Sequence, residues 1–486
     1  MKARILAVAL APENRKWWTL FALTFSLFVI MLDNTVVNVA LPSIQRDFDI
    51  SATDLSELEW VVNAYVLVFA ALMLTGGKLA DYFGRRRVFL TGLAIFGLSS
   101  LACGLAPDAG WLIAARAVQG AGAALMMPAT LSIITATFPA RERGAAIGIW
   151  AGVAAMALAI GPLIGGLITE HVAWNWIFFL NVPVAAVGLV VGRIVIRESK
   201  DTSEDQRLDV PGLVTSGLAL FALTFALIEA NRYGWTSALI LGLLAFAAAG
   251  FAAFVLLERH QRAPMLDLSL FRSSTFAGAN VVAMLVGVAM FGVFFFLSLY
   301  MQNVLGYSPV RAGASFLPMT ILIIIVAPIA GRVSDRVGSR WLIATGMSLV
   351  AGALVIFSQL AVASSWWQLL PGMLIGGFGM AITMTPVTAA AVGAVPVEKA
   401  GVGSGVLNTS RQVGLALGIA MMGAIVSATQ ADALAGGANP QAAFVAGLND
   451  AMLVGAGVAL SAALVGALTI RRHRHLQPEE ALEAAA

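Results

Sequence analysis

Apolar residues run along this chain in long blocks, and polar residues are largely confined to the short gaps between them. A helix that rises 1.5 Å per residue needs about 20 mostly apolar residues to cross a hydrocarbon layer of about 30 Å. Blocks of that kind lie near 17–40, 58–79, 88–106, 109–135, 144–169, 174–192, 210–229, 236–257, 274–301, 311–331, 341–362, 366–392, 401–428 and 446–470. Nearly every gap holds a proline, a turn signal or a cluster of charges. The pattern predicts an all-α integral membrane protein with 14 transmembrane helices.

Charge placement tests that count. With a cytoplasmic N-terminus, the inward-facing segments hold 24 Lys and Arg and the outward loops hold three, Arg46, Arg232 and Arg311. Arg116 and Arg411 fall inside spans, which accounts for all 29. Cytoplasmic loops carry an excess of Lys and Arg. A missed helix would move every later loop to the other side and destroy the split. Both termini are therefore expected in the cytoplasm. Residues 1–16 form an interfacial N-terminal segment, since the apolar run Ile5–Ala11 is too short to span. Residues 471–486 form a basic tail that contains His473 and His475.

Composition narrows the function. The chain is 59% hydrophobic and 11% charged, with mean hydropathy +0.89, against about 25% charged residues in soluble proteins. The net charge of +3 is spread among the gaps, which argues against nucleic-acid binding. Cys103 is the sole cysteine and reads as helix packing. The histidines are scattered, so no metal site is expected. Lys78 follows Gly77, but the rest of a phosphate loop is missing, and "GVGSG" at 401–405 lacks a strand before it. Neither ATP nor any other cofactor is expected on this chain, and no enzyme activity.

A short pattern occurs twice. "GKLADYFGRRR" follows the second block and "GRVSDRVGSR" follows the tenth. Gly77, Asp81, Gly84 and Arg86 align with Gly331, Asp335, Gly338 and Arg340 at a constant offset of 254. Parallel repeats related by an axis along the membrane normal build many transporters. Residues 17–192 are expected to form one six-helix bundle and 274–470 its pseudo-symmetric partner. A helix pair at 210–257 is inserted between them, flanked by cytoplasmic linkers at 193–209 and 258–273. Glycine permits tight turns and close helix approach, and a carboxylate at a helix end accepts bonds from a helix N-terminus or an arginine. Gly77, Asp81, Gly84, Arg85, Arg86, Gly331, Asp335 and Arg336 are therefore candidates for a cytoplasmic gate that latches the bundles.

These loops resemble the signature of the major facilitator superfamily, with Tyr82 where a basic residue is usual. "RAVQGAGAALMMP" resembles its motif with a buried arginine, here Arg116. "GVAAMALAIGPLIGG" resembles its antiporter motif through Gly161, Pro162, Gly165 and Gly166. "LDNTVVNVALP" and "WNWIFFLNVP" resemble its fourteen-helix drug:proton antiporter branch. The resemblance covers nearly the whole chain. It implies a proton-coupled multidrug efflux antiporter of the bacterial inner membrane, working as a monomer and exporting amphipathic, often cationic compounds by alternating access.

Asp33 carries the chemistry in that reading. A charge at the centre of a spanning helix costs about 2.5–3.5 kcal/mol on insertion scales and usually marks a transport path. Asp33 either makes a structural hydrogen bond or binds and releases a proton. Arg116 is a permanent charge that would bias that acid. Glu59, Trp60 and Asn63 are expected near an outward vestibule, Glu59 and Asn63 on one helix face, with Glu229 at a second solvated mouth. Met290 and Phe294 line either the substrate cavity or the bilayer, and Arg411 serves either coupling or helix packing. Other readings remain: a lipid, siderophore or metabolite as cargo, a proton-independent facilitator, or a scaffold that transports nothing.

Overall fold

The computed structural model describes residues 12–51, 55–200, 209–261, 264, 266–395 and 400–471. They form 14 long helical units. The first six are α1 (Pro12–Asp47), α2 (Ser56–Phe83), α3 (Arg85–Gly104), α4 (Ala109–Thr137), α5 (Ala140–His171) and α6 (Trp176–Val195). Next come α7 (Val210–Tyr233) and α8 (Ala238–His260). The last six are α9 (Ser274–Leu299), α10 (Leu317–Val337), α11 (Ser339–Phe357), α12 (Trp366–Gly393), α13 (Ala400–Ala435) and α14 (Pro440–Thr469). Thirteen of the units are long and apolar enough to cross a membrane. The other, α5, has 32 residues, about 48 Å of helix.

Local signals set the boundaries. Asp108 and Asn439 accept hydrogen bonds from the backbone N–H groups of Trp111 and Ala442, capping α4 and α14. Ser365 and Gln368 form a reciprocal capping box on α12. Gly84 and Gly338, at matching places in the repeat, have φ of +107° and +87°. Both separate one helix from the next with no intervening loop, a turn that glycine adopts without a Cβ penalty. The helices overrun the predicted apolar blocks, because backbone hydrogen bonding continues past the hydrocarbon edge. Thus α1 reaches Asp47, and α9 continues through a π-type turn at Tyr300–Val304. The tenth block is divided, with a short helix Pro309–Ser315 ahead of α10.

Helix pairing recurs at an interval of eight. In the first six helices, α4 packs on α2 and α3, α5 on α1, and α6 on α1 and α3. In the last six, α12 packs on α10 and α11, α13 on α9, and α14 on α9 and α11. The two bundles meet along α2 with α13, and along α5 with α10 and its short leading helix. Helix α7 lies across the α2–α13 seam, and α8 packs on α7.

The face where α1 begins is called the near face and its opposite the far face. Three side-chain hydrogen bonds tie the bundles together at the far face. Gln302 Nε2 donates to the Val39 carbonyl at 2.9 Å, Asn303 Nδ2 to Gln45 Oε1 at 3.0 Å, and the Val310 N–H to Glu170 Oε2 at 2.8 Å.

Candidate functional site

Asp33 lies on α1 and Arg116 on α4, and they form an ion pair inside the N-terminal bundle. Their exposures are 3% and 1%. The guanidinium is held from several sides. Nη1 donates to Asp33 Oδ2 and to Gln119 Oε1 at 2.7 Å, and Nε donates to the Val61 carbonyl at 3.1 Å. Its plane lies 4.3 Å from the Tyr65 ring centroid, a cation–π placement. The other carboxylate oxygen, Oδ1, accepts from Gln119 Nε2 at 3.2 Å and Asn181 Nδ2 at 3.3 Å. Ser100 Oγ accepts from Gln119 and Asn181 and donates to the Phe178 carbonyl at 2.9 Å. Side chains from α1, α2, α3, α4 and α6 thus form one buried network around the ion pair.

The sequence reading reached Asp33 and Arg116 but not Gln119, Asn181, Ser100 or Tyr65. A signal for two of them was present. Gln119 follows Arg116 by three residues, which puts both on one helix face. Asn181 is the polar residue within "FFLNVP". Small residues bring α5 against the same stretch of α1. A Cβ at Gly161 would collide with the Thr35 hydroxyl, and one at Gly165 would lie 2.9 Å from the Val36 carbonyl oxygen. The opposite side of the motif meets the other bundle. A Cβ at Gly166 would strike the Pro309 carbonyl, and the Pro162 carbonyl abuts Gly313.

Two carboxylates expected at solvated mouths are buried. Glu59 is 2% exposed and lies against Gly423 of α13, while Glu229 is 6% exposed and accepts a hydrogen bond from Trp60 Nε1 at 3.2 Å. The inserted pair accounts for this. Helix α7 covers the far end of α2, and Trp60 packs on Phe221 and Phe225 of α7 instead of facing a vestibule. Asn63 is fully buried, with neither amide atom hydrogen-bonded among the described residues. Met290 and Phe294 are also buried, and the Phe294 ring packs 5.2 Å from Phe316. Their part of α9 faces protein packing, neither open cavity nor bilayer. Arg411 reaches toward α12, with Nη2 3.5 Å from Thr388 Oγ1.

In the first gate loop, Asp81 pairs with Arg85 at 2.9 Å. The Arg85 N–H donates to the Ser199 carbonyl at 2.8 Å, and the Arg86 N–H to Glu198 Oε1 at 3.0 Å. These bonds tie the loop to the segment after α6 and do not reach the second bundle. Lys78 Nζ donates to the Pro264 carbonyl at 2.5 Å, tying α2 to the segment after α8. Gly77 lies near Pro128 of α4, and Gly331 near Thr385 of α12, each within its own bundle. Arg336 is exposed, and the side chain of Asp335 lies outside the described residues. Among the described residues, no cluster of His, Cys, Asp and Glu has the makeup of a metal site.

Comparison with known proteins identifies the family. The sequence matches the Major Facilitator Superfamily over residues 23–419. It is 37% identical over 426 residues to the tetracenomycin C resistance and export protein of Streptomyces glaucescens, covering 86% of this chain and 78% of that one. It is 39% identical over 413 residues to the multidrug resistance protein Stp of Mycobacterium tuberculosis, covering 84% and 76%. It is 37% identical over 446 residues to the puromycin resistance protein pur8 of Streptomyces alboniger, covering 91% and 88%. Among solved structures, a bacterial homologue of the human lysosomal transporter Spinster aligns with TM-score 0.69 at 19% identity, over 95% of this chain and 99% of that one. The shared fold, the fourteen helices and the family match place the chain in the Major Facilitator Superfamily, a family of multi-pass membrane transporters and not of enzymes, with drug-resistance and export proteins among its relatives.

Proposed function

We propose that the protein exports small amphipathic compounds from the cytoplasm in exchange for protons, with the near face cytoplasmic. The observation that carries this is the Asp33–Arg116 pair, buried where α1 meets α5 and beneath the closed far face. Removing one partner of a buried ion pair costs about 3–5 kcal/mol, because the remaining charge is left uncompensated. Protonating Asp33 has the same electrostatic consequence for Arg116. Proton uptake therefore pushes α4 to repack against α1 and α2. Since α5 lies on α1 by one side and on the α10 region by the other, that repacking is transmitted to the far-face seam. The two bundles, residues 17–192 and 274–470, rock about the α2–α13 and α5–α10 contacts, and one chain suffices for the cycle. The repeated loops act at the near face, where they would form latching contacts only in the opposite conformation.

The preference for cations expected from a free carboxylate loses its main support, since Asp33 is already compensated. The relatives named for tetracenomycin C, puromycin and multidrug resistance favour antibiotic-like cargo over a lipid or siderophore. Proteoliposomes holding the full chain, loaded with a fluorescent amphipathic dye, test the proposal. Dye movement should follow an imposed pH gradient and stop when a protonophore collapses it. Equal rates with and without the gradient would reduce the protein to a facilitator.

A further inference from the structure

We infer that Arg411 is a recognition site for an acidic group, such as a carboxylate or phenolate, on the exported compound. The inference rests on the exporter reading above and adds the substrate class. Arg411 lies eleven residues along α13 from its near-face start at Ala400, about 16 Å into the helix. Among the described residues its side-chain partner is a neutral hydroxyl, Thr388 Oγ1, at 3.5 Å. Arg411, Thr388 and Asn408, one turn earlier on α13, are each only partly buried.

Among the described residues, the carboxylates are far from this guanidinium along the helix axis. Helices α9 and α12, which flank α13 within the bundle, contain no Asp, Glu, Lys or Arg. Arg411 is the only charged residue of α13 before Asp432. Glu59 meets α13 at Gly423, about 18 Å further along the axis. Asp450 meets it at Thr429, about 27 Å along. Asp33 is engaged by Arg116.

A guanidinium at this depth without a counter-ion is costly unless water or an anion meets it. Its planar fork matches a carboxylate in a bidentate manner. Asn408 Nδ2, which donates to the Ser404 carbonyl at 3.1 Å, has a second N–H to offer beside it. A compound arriving through the near face with an acidic group would supply the missing charge, while its apolar body remains among the surrounding helices.

Binding of naphthylacetic acid and of its methyl ester to the full chain in nanodiscs, read by tryptophan quenching, tests this directly. Wild-type protein should bind the acid about tenfold more tightly than the ester, the scale of one charge-assisted pair. R411Q should bring the ratio to about one. T388E should do the same with Arg411 still present, because it supplies an internal counter-ion and so protects the fold. No acid preference in the wild type, or a preference retained in either variant, overturns the inference. Acid preference in nanodiscs without pH-driven export from proteoliposomes would instead reject the exporter reading and leave the site standing.

Discussion

Asp33 illustrates how much a residue's role depends on its partners. Seen alone in an apolar block it is a candidate proton carrier; in the fold it is also half of a structural ion pair. The two roles have different signatures. Asp33→Asn keeps the side chain's size but strands Arg116, so it should destabilise the protein by about 3–5 kcal/mol and abolish gradient-driven export. Combining it with Arg116→Gln should recover most of that stability, because no buried charge remains, and should recover no export. Thermal melting of both variants, paired with proteoliposome efflux, separates the terms as a double-mutant cycle does. Export by a well-folded double variant would move the coupling site elsewhere, with Glu59 and Glu229 the next acids to test. Glycines discriminate in a similar way. A Cβ at Gly84 would lie 2.6 Å from Glu198 Oε1 on a backbone with φ +107°, whereas one at Gly77 would meet Pro128 at an ordinary 3.5 Å. Gly84→Ala should therefore lower the melting temperature and Gly77→Ala should leave it within about 1 °C, the scale of a ΔΔG well under 1 kcal/mol.

Among the elements, α5 has the clearest mechanical role. Its Gly161 and Gly165 seat it on α1, and its Gly166 and Pro162 seat it against the short helix ahead of α10 in the second bundle. Every contact is close enough that a side chain forces separation. Gly166→Leu should thus pry the far face apart while leaving both bundles folded. A chain with Cys103→Ala, Gln45→Cys and Asn303→Cys reports on this, since the native pair is within 3.0 Å. A short bis-maleimide should join the two cysteines efficiently in that background and several-fold less with Gly166→Leu added. Undiminished cross-linking would show that α5 does not control the seam. Helix α7 has a different part. By covering α2 and α13 it turns Trp60 and Glu229 into an internal contact, which places the inserted pair against the α2–α13 seam between the bundles.

For the whole molecule, orientation in the membrane is the outstanding prediction. The split of basic residues predicts that the near face lies in the cytoplasm. In a Cys103→Ala background, a membrane-impermeant maleimide applied to intact cells should label Gln441→Cys, at the far-face start of α14, and leave Lys200→Cys, after α6, unlabelled until the cells are opened. The reverse pattern would invert the transport direction and with it the exporter reading.

The span count and the repeated loop were legible in the sequence because the energies behind them are local. Membrane transfer sums along about 20 residues of one helix, basic residues bias each short loop separately, and Gly84 and Gly338 report a backbone turn confined to themselves. The Asp33–Arg116 pair was half legible: each residue stood out as a charge in an apolar block, and Gln119 was within reach through its spacing. The rest depended on how helices rotate and which faces they share. Asp33 and Asn181 are 148 residues apart, and Trp60 and Glu229 are 169 apart. No periodicity along one helix records such a meeting. Burial of Glu59, packing of Met290 and Phe294, and closure of the far face follow from close approach at small residues and from α7 lying across the seam. Those are properties of surfaces brought together, and only the assembled bundles decide them.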